Sequence, residues 1–357
     1  MVDRLDRLLF TRDLGPLPEA HTHFCDVLAG IYRRFPIDVV SHRFLTVPRH
    51  RAWLLVDDDI ARQLADPTEL GPSFVTPPSY GLVLARTQFD CPQIACSDTA
   101  FYDPMPEERT SYPLPASWGS RHDVRRRGFH GLSHEHVARR AGQILSGAAV
   151  TRLISCHIGP TSSVTALRSG VPVDTTLGFV PGDAMLGASS GGMDAGALLR
   201  LIIEDDVAPA ALRHLLEENA GMAALAGRTR TLADLVADAE SGDPDAHRAV
   251  DIHQHGLAAA IAGLTASLGG LDALVFTGPY GCRDPWLRSD LARRLRYLGV
   301  RIDPARNQAL RGDLVLSDPG GVAVAVVESR LDLRMVAEAR QALRDTSGRT
   351  GQRVVAA

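Results

Sequence analysis

Short apolar runs that end on a small or charged residue recur along this chain, and each is followed by a stretch of helical period. Gln93-Ile94-Ala95-Cys96-Ser97 runs into Asp98. Arg152-Leu153-Ile154-Ser155-Cys156-His157-Ile158 runs into Gly159, and Ala273-Leu274-Val275-Phe276-Thr277 into Gly278. Between them, apolar residues recur every three or four positions, as at Val137, Ala141, Ile144 and Leu145. Strands that alternate with helices make an α/β protein. In open sheets of that class the ligand crevice lies beyond the strand C-termini, which makes Asp98 a candidate site residue by position.

The remaining elements follow from the same periodicities. Helices are predicted over 21–34, 57–64, 195–204, 209–218, 245–268, 285–298 and 333–343. Further strands are predicted over 37–40, ending at Ser41-His42-Arg43, and over 314–317 and 322–327. Residues 163–167 and 171–175 form a hairpin about Arg168-Ser169-Gly170. The proline-rich segment 67–79 reads as loop, and the Gly-rich segment 178–194 as a long loop of the kind that carries a ligand site.

One stretch concentrates charge beside a helix start. Arg125-Arg126-Arg127 leads into Gly128-Phe129-His130-Gly131, and a helix is expected immediately afterwards, with Ser133 as its N-cap and Glu135 in its first turn. Arginines, a Gly-x-x-Gly clamp and a helix N-terminus together suit a phosphate or carboxylate. The plainer alternative is that His130 caps a turn and the arginines form a solvated face. Gly159-Pro160-Thr161-Ser162-Ser163 adds small hydroxyl residues after a strand-end glycine, a loose phosphate-cradle pattern.

Composition narrows the classes. With 357 residues the chain is long enough for about two domains. A net charge of -4 argues against a nucleic-acid or membrane-surface protein, so the arginine cluster is a local feature. Residues 1–24 lack the apolar core of a signal peptide, and no apolar run approaches membrane-spanning length. The five cysteines are odd in number and unpaired in spacing, which fits reduced thiols and a cytoplasmic protein. His134-Glu135-His136 lacks the H-E-x-x-H spacing of a zinc hydrolase.

Arg127-Gly128-Phe129-His130-Gly131-Leu132-Ser133-His134 resembles the R-[RK]-Y-G-F-H-G-T-S-H signature of the acetate kinases. Asp98-Thr99-Ala100-Phe101 with Met105-Pro106 resembles their D-T-A-F-H-x-x-M-P, and His157-Ile158-Gly159 their H-L-G-N-G. Val173-Asp174-Thr175 with Gly178-Phe179 is similar to V-D-T-S-M-G-F. Residues 269–281 and 298–307 follow two further family motifs in order. The resemblance implies a two-lobed sugar-kinase/actin-like (ribonuclease H-like) duplicated fold. It implies transfer of the γ-phosphoryl of ATP to a short carboxylate, with Mg2+, in a protein that forms homodimers.

Carried over position by position, the resemblance implies roles for several residues. Arg43 stands at the substrate-binding arginine, and Asp98 at the aspartate of metal and acceptor positioning. His130 stands at the histidine that stabilises the transferring phosphoryl, and Phe129 and Pro181 at the acceptor pocket wall. His157, Gly159 and Gly281 stand at phosphate-side and nucleotide-side positions, beside Thr161 and Ser162 of the cradle pattern. The implied domains are a first lobe over 1–101, completed by a C-terminal helix at 332–346, and a second lobe over 102–331. A disordered tail is expected over 347–357.

The departures are as informative. Residues 1–24 contain nothing like the family's N-x-G-S-S-S-x-K, so the first lobe is expected to lack its leading strands. Ser189 stands where the family has a phosphoryl-stabilising arginine, Pro160 where it has an asparagine, and Phe74 where it has a pocket histidine. Leu331 stands at the metal-side glutamate, with Asp332 next to it, and Thr231-Leu232-Ala233 at the adenosine-side D-F-R. The expectation is an ATP:short-chain-carboxylate phosphotransferase of weak or lost activity. The alternative is an impaired homologue that binds a ligand or pairs with a complete acetate kinase.

Overall fold

The computed structural model describes residues 21–48, 51–68, 72–115, 117–118, 123–145, 150–179, 190–227, 231–308, 312–317 and 320–353. The chain divides into two compact units, residues 1–103 with 330–357 and residues 104–329. No described helix is long and apolar enough to cross a membrane.

The first unit is built on a three-stranded sheet in the order β1-β3-β2, from β1 (Val40–Phe44), β2 (Trp53–Leu55) and β3 (Gln93–Ser97). Helix α1 spans His21–Arg34, as predicted. The alternation of β3 sends its residues to two layers. Ala95 joins Phe44, Val47, Ile60, Leu64 and Leu82, between the sheet and helices α2 (Asp58–Leu64) and α3 (Pro72–Gln88). Ile94 and Cys96 turn the other way and pack on Ala339 and Ala342 of the C-terminal helix, Leu331–Arg353. Asp57 caps α2, its carboxylate accepting from the Ile60 amide at 2.8 Å.

Three expectations are corrected here. The strand placed at 37–40 lies at Val40–Phe44, because β3 offers a parallel partner only from Gln93, which pairs with Val40. The segment expected as loop, 67–79, supplies the first half of α3, with Pro77 and Pro78 inside the helix. Each proline removes a helical donor. Burial of Val75, Leu82, Leu84 and Ala85 offsets this, and Ser79 Oγ donates to the Leu64 carbonyl at 2.9 Å. The last helix is longer than the predicted 333–343 and overlaps the expected tail as far as Arg353.

The second unit carries a six-stranded sheet in the order β6-β5-β4-β7-β9-β8. Its strands are β4 (Arg152–Ile158), β5 (Ser162–Arg168), β6 (Val171–Thr175), β7 (Ala273–Thr277), β8 (Leu314–Val315) and β9 (Ala323–Val326). The central strands β4, β7 and β9 are parallel, and antiparallel strands flank them. The β5–β6 hairpin turns through Ser169 (φ 51) and Gly170 (φ 83), two left-handed residues that match strand twist.

The longer helices of this unit are α4 (Gly131–Ile144), α5 (Ala195–Ile203), α6 (Pro209–Glu218), α7 (Leu232–Glu240), α8 (Pro244–Leu268), α9 (Gly278–Arg283) and α10 (Pro285–Arg294). One face of the sheet is apolar: Ile154, Cys156, Ile158, Val164, Ala166, Leu274 and Phe276 pack on α7, α8 and α10. Helix 285–298 is shorter than predicted. It ends at Arg294, and a separate 3-10 turn covers Arg296–Leu298.

Candidate functional site

The opposite face of the second sheet is unlike the first. Strand pairing sets Ser155, His157, Ser163, Thr165 and Thr277 side by side, since His157 pairs with both Ser163 and Thr277, and Ser155 with Thr165. All five are buried, and α4 brings Ser133 and His134 against them. Buried hydroxyls and imidazoles need partners, and here they supply one another.

His130 is the hinge of this arrangement. Its φ of 58 places it in the left-handed region as the N-cap of α4, a conformation that costs about 1 kcal/mol or more for a residue with a Cβ. That backbone turns the ring onto β5, with Nδ1 2.8 Å from Ser163 Oγ and Nε2 2.8 Å from Thr161 Oγ1. The His157 ring stacks on it at 4.3 Å between centroids, 19° from parallel. His157 Nδ1 meets Ser133 Oγ at 3.0 Å. His134 joins Ser163 through Nε2 (2.8 Å) and Ser155 through Nδ1 (2.7 Å). Burial and the neighbouring His157 hold its pKa well below the usual histidine value, so it stays neutral.

The expected cap is thereby corrected. Ser133 does not start α4. It lies inside the first turn, and its hydroxyl is used on His157. Glu135 falls outside the first turn and pairs with Arg139 at 2.9 Å. The arginines ahead of the helix are engaged with the protein. Arg126 donates to the Thr175 and Thr176 carbonyls at 3.1 Å. Arg127 reaches Asp123 at 3.2 Å and lies 5.0 Å over the Phe179 ring.

Tight backbone packing surrounds His157. A Cβ on Gly159 would come 3.1 Å from His157 Nε2. Gly278 has φ +81, and a Cβ there would meet the Ile158 carbonyl at 2.6 Å, so only glycine fits. Gly281 is buried in α9 against Ile158. Arg288, which sequence reasoning did not single out, holds that helix in place. It is fully buried and donates to the Gly281 and Cys282 carbonyls at 2.9 Å and to Asn307 Oδ1 at 2.7 Å. Nothing in the sequence around it separates it from a surface arginine.

Of the predicted residues, His130, His157, Gly159 and Thr161 gather on the hydroxyl face, with Phe129 fully buried beside His130 in sequence. Ser162 points to the other face, 3.4 Å from His253 Nε2 of α8. In the first unit Arg43 and Asp98 meet directly. Arg43 Nε donates to Asp98 Oδ2 at 3.0 Å and Nη2 to the same oxygen, and Asp98 is fully buried. Pro181 and Ser189 lie outside the described residues.

This frame is shared with known proteins. The model of the acetokinase family matches residues 22–337. The acetate kinase of Trichormus variabilis is 32% identical over 301 residues, 83% of this chain and 74% of that protein. The acetate kinase of Gloeobacter violaceus is 38% identical over 256 residues, 71% of this chain and 63% of that protein. Among solved structures, Porphyromonas gingivalis acetate kinase superposes with a TM-score of 0.77 at 28% identity, covering 88% of this chain and 80% of its own. A propionate kinase from Francisella tularensis gives 0.81 at 25% identity, covering 90% and 83%. With a family match across most of its length and the same mixed α/β architecture, the chain belongs to the acetokinase family.

Proposed function

We propose that this chain is an acetate kinase homologue, shaped to move the γ-phosphoryl of ATP to a short-chain carboxylate, in which that transfer is weak or lost. The observation that carries the reading is the Arg43–Asp98 pair. By resemblance Arg43 serves the acceptor carboxylate and Asp98 the metal and acceptor, yet here two guanidinium donors rest on one Asp98 oxygen. The charges that both roles require neutralise each other. Ser189, Pro160 and Leu331 remove an arginine, an asparagine and a glutamate from the same chemistry. One transition-state arginine is typically worth about 10³–10⁵ in rate.

ATP, when bound, supplies the phosphoryl group and its leaving group. The second unit fits the phosphate end. Thr277 Oγ1 is buried without a hydrogen-bond partner among the described residues, on the same face as His157, and Thr161 and His130 add a hydroxyl and a ring nitrogen. His130 Nε2 is the atom that donates to, or takes a proton beside, a phosphoryl oxygen. Asp98 stands at the family's metal-positioning aspartate, and a magnesium ion held there with the substrate phosphates would compete with the Arg43 guanidinium on its Oδ2.

A coupled assay of ADP release with acetate, propionate and butyrate tests the reading. Turnover at least about 10³-fold below that of a complete acetate kinase is expected. Turnover at the level of such an enzyme, abolished by His130→Ala, overturns the impairment. Absence of ATP binding by calorimetry removes the kinase reading itself.

A second reading, a partner subunit in a homodimer or beside a complete acetate kinase, is favoured by α5. Its nine residues include no buried side chain, and Leu199 and Ile203 are 55% and 74% exposed. Exposed apolar side chains grouped on one short helix mark an interaction surface. Light scattering that shows a monomer at micromolar concentration, alone and with a complete acetate kinase, rules this out.

A further inference from the structure

A continuous row of hydroxyls and imidazoles crosses the polar face of the second unit. It runs from Thr161 Oγ1 to His130 Nε2 (2.8 Å) and from His130 Nδ1 to Ser163 Oγ (2.8 Å). It continues from Ser163 Oγ to His134 Nε2 (2.8 Å) and from His134 Nδ1 to Ser155 Oγ (2.7 Å). Ser163 is 1% exposed and stands between two ring nitrogens with a single proton to give.

That one proton couples the two rings. When Ser163 donates to His134 Nε2, it accepts from His130 Nδ1–H, and His134 carries its proton on Nδ1, donating to Ser155. When Ser163 donates to His130 Nδ1, every bond reverses and both rings carry their protons on Nε2. When both histidines are neutral they share one tautomer in either polarity. If both rings donated to Ser163, its buried O–H would lose both of these partners, which is costly.

The two polarities differ in what they allow His130 to do. With Ser163 donating inward to His134, His130 holds Nδ1–H and can take a second proton at Nε2. The Thr161 hydroxyl then turns to accept it, and the bonds from Ser163 inward keep their direction. In the reverse polarity, protonation of His130 at Nδ1 requires Ser163, His134 and Ser155 all to reorient. His134 is buried and neutral, so it does not take the charge itself. The His157 ring stacked on His130 is turned to Ser133 through its Nδ1, outside the row.

We propose that Ser163, His134 and Ser155 are positioning residues that hold His130 as its Nδ1–H tautomer, so that Nε2 is the atom that gains and loses a proton. What His130 acts on rests on the phosphotransferase reading above. The coupling does not.

Nitrogen-15 NMR of histidine-labelled protein reads it directly, because long-range couplings separate the two tautomers. In the wild-type chain, His130 and His134 are both expected to show Nδ1–H. Ser155→Ala removes the acceptor of His134 Nδ1–H without touching His130. It is expected to raise the Nε2–H to Nδ1–H ratio about tenfold at both rings, as for one lost hydrogen bond. Ser163→Thr keeps a hydroxyl and is expected to keep the joint response. Ser163→Ala is expected to confine the effect of Ser155→Ala to His134. Opposite tautomers in the wild-type chain, both rings as Nε2–H, or a Ser155→Ala response at His134 alone, overturn the proposal, and the wild-type and Ser155→Ala spectra decide it even if Ser163→Ala fails to fold. These spectra need no turnover, so a protein that fails to bind ATP sinks the kinase reading while leaving the coupling intact.

Discussion

Neighbouring residues of one strand meet opposite surroundings in the second unit. On β4, Ile154, Cys156 and Ile158 enter an apolar layer, while Ser155 and His157 enter a row of hydrogen-bonding groups. The apolar face is held by area, at about 25 cal/mol per Å² removed from water, and any side chain of similar size and polarity serves there. Its thiols are inert. Burial pushes the Cys156 pKa up to about 12, and burial with the nearby Glu328 and Asp313 carboxylates pushes Cys282 to about 11. The polar face is held by matched donors and acceptors, each worth only about 1 kcal/mol net, yet an unmatched one costs about 1–3. The first face therefore sets stability, and the second sets where protons lie.

The contrast breaks most visibly at Phe276, which is fully buried on the apolar face. Phe276→Ala is expected to cost about 3–5 kcal/mol in urea unfolding, with the hydroxyl face unable to compensate. A loss below about 1 kcal/mol would show that the layer is not packed as described.

Acid provides the next test. Burial lowers the pKa of His253, behind β5, from 6.5 to about 4. Above pH 6.5 neither folded nor unfolded chain protonates this group, and its full contribution is present. As pH falls, the unfolded chain takes up a proton that the folded chain refuses, so stability declines until the pH reaches the folded value. Over that window the loss is about 3 kcal/mol. His134, lowered by burial and His157, adds to the decline in the same direction. Unfolding free energies at pH 7.5 and 5 check this, and His253→Gln is expected to flatten the slope.

The first unit extends the comparison to a charged pair. Arg43→Ala takes the guanidinium away from the buried Asp98 carboxylate, at an expected cost of about 2–3 kcal/mol. This is less than for a fully buried pair because Arg43 is partly exposed. If thermal denaturation shows no change, the pair is not what anchors β1 to β3. The smallest effect is expected at Thr165, whose hydroxyl is 3.1 Å from that of Thr175. Thr165→Val is expected to cost about 1 kcal/mol and leave the His130 and His134 resonances in place.

Much of this was legible before any coordinates. The strands at Gln93–Ser97, Arg152–Ile158 and Ala273–Thr277 stand where their apolar runs predict. Helix α8 runs Pro244–Leu268 where periodicity predicts 245–268, between the cap Asp243 and left-handed Gly269. The proline-rich first half of α3 was not legible, since the local cost of Pro77 and Pro78 is met by packing distant in sequence. Ser133 looked like a cap because serines favour that position. Its hydroxyl is instead used by a histidine 24 residues away. Ser162 and Ser163 looked equivalent, yet strand alternation sends them to opposite faces.

The residue pattern alone determined the class of fold, the family and the identities of His130, His157, Arg43 and Asp98, because periodicity and motif spacing are local properties of the chain. Tertiary structure alone decided that Arg43 spends its charge on Asp98. It also decided that Ser163 joins two imidazoles, and that Arg288 is a buried tie rather than a surface cation. Such pairings join residues 19 to 55 positions apart. They exist only once the strands have aligned, since a side chain's partner is set by the register of a neighbouring strand or helix and not by its own surroundings in sequence.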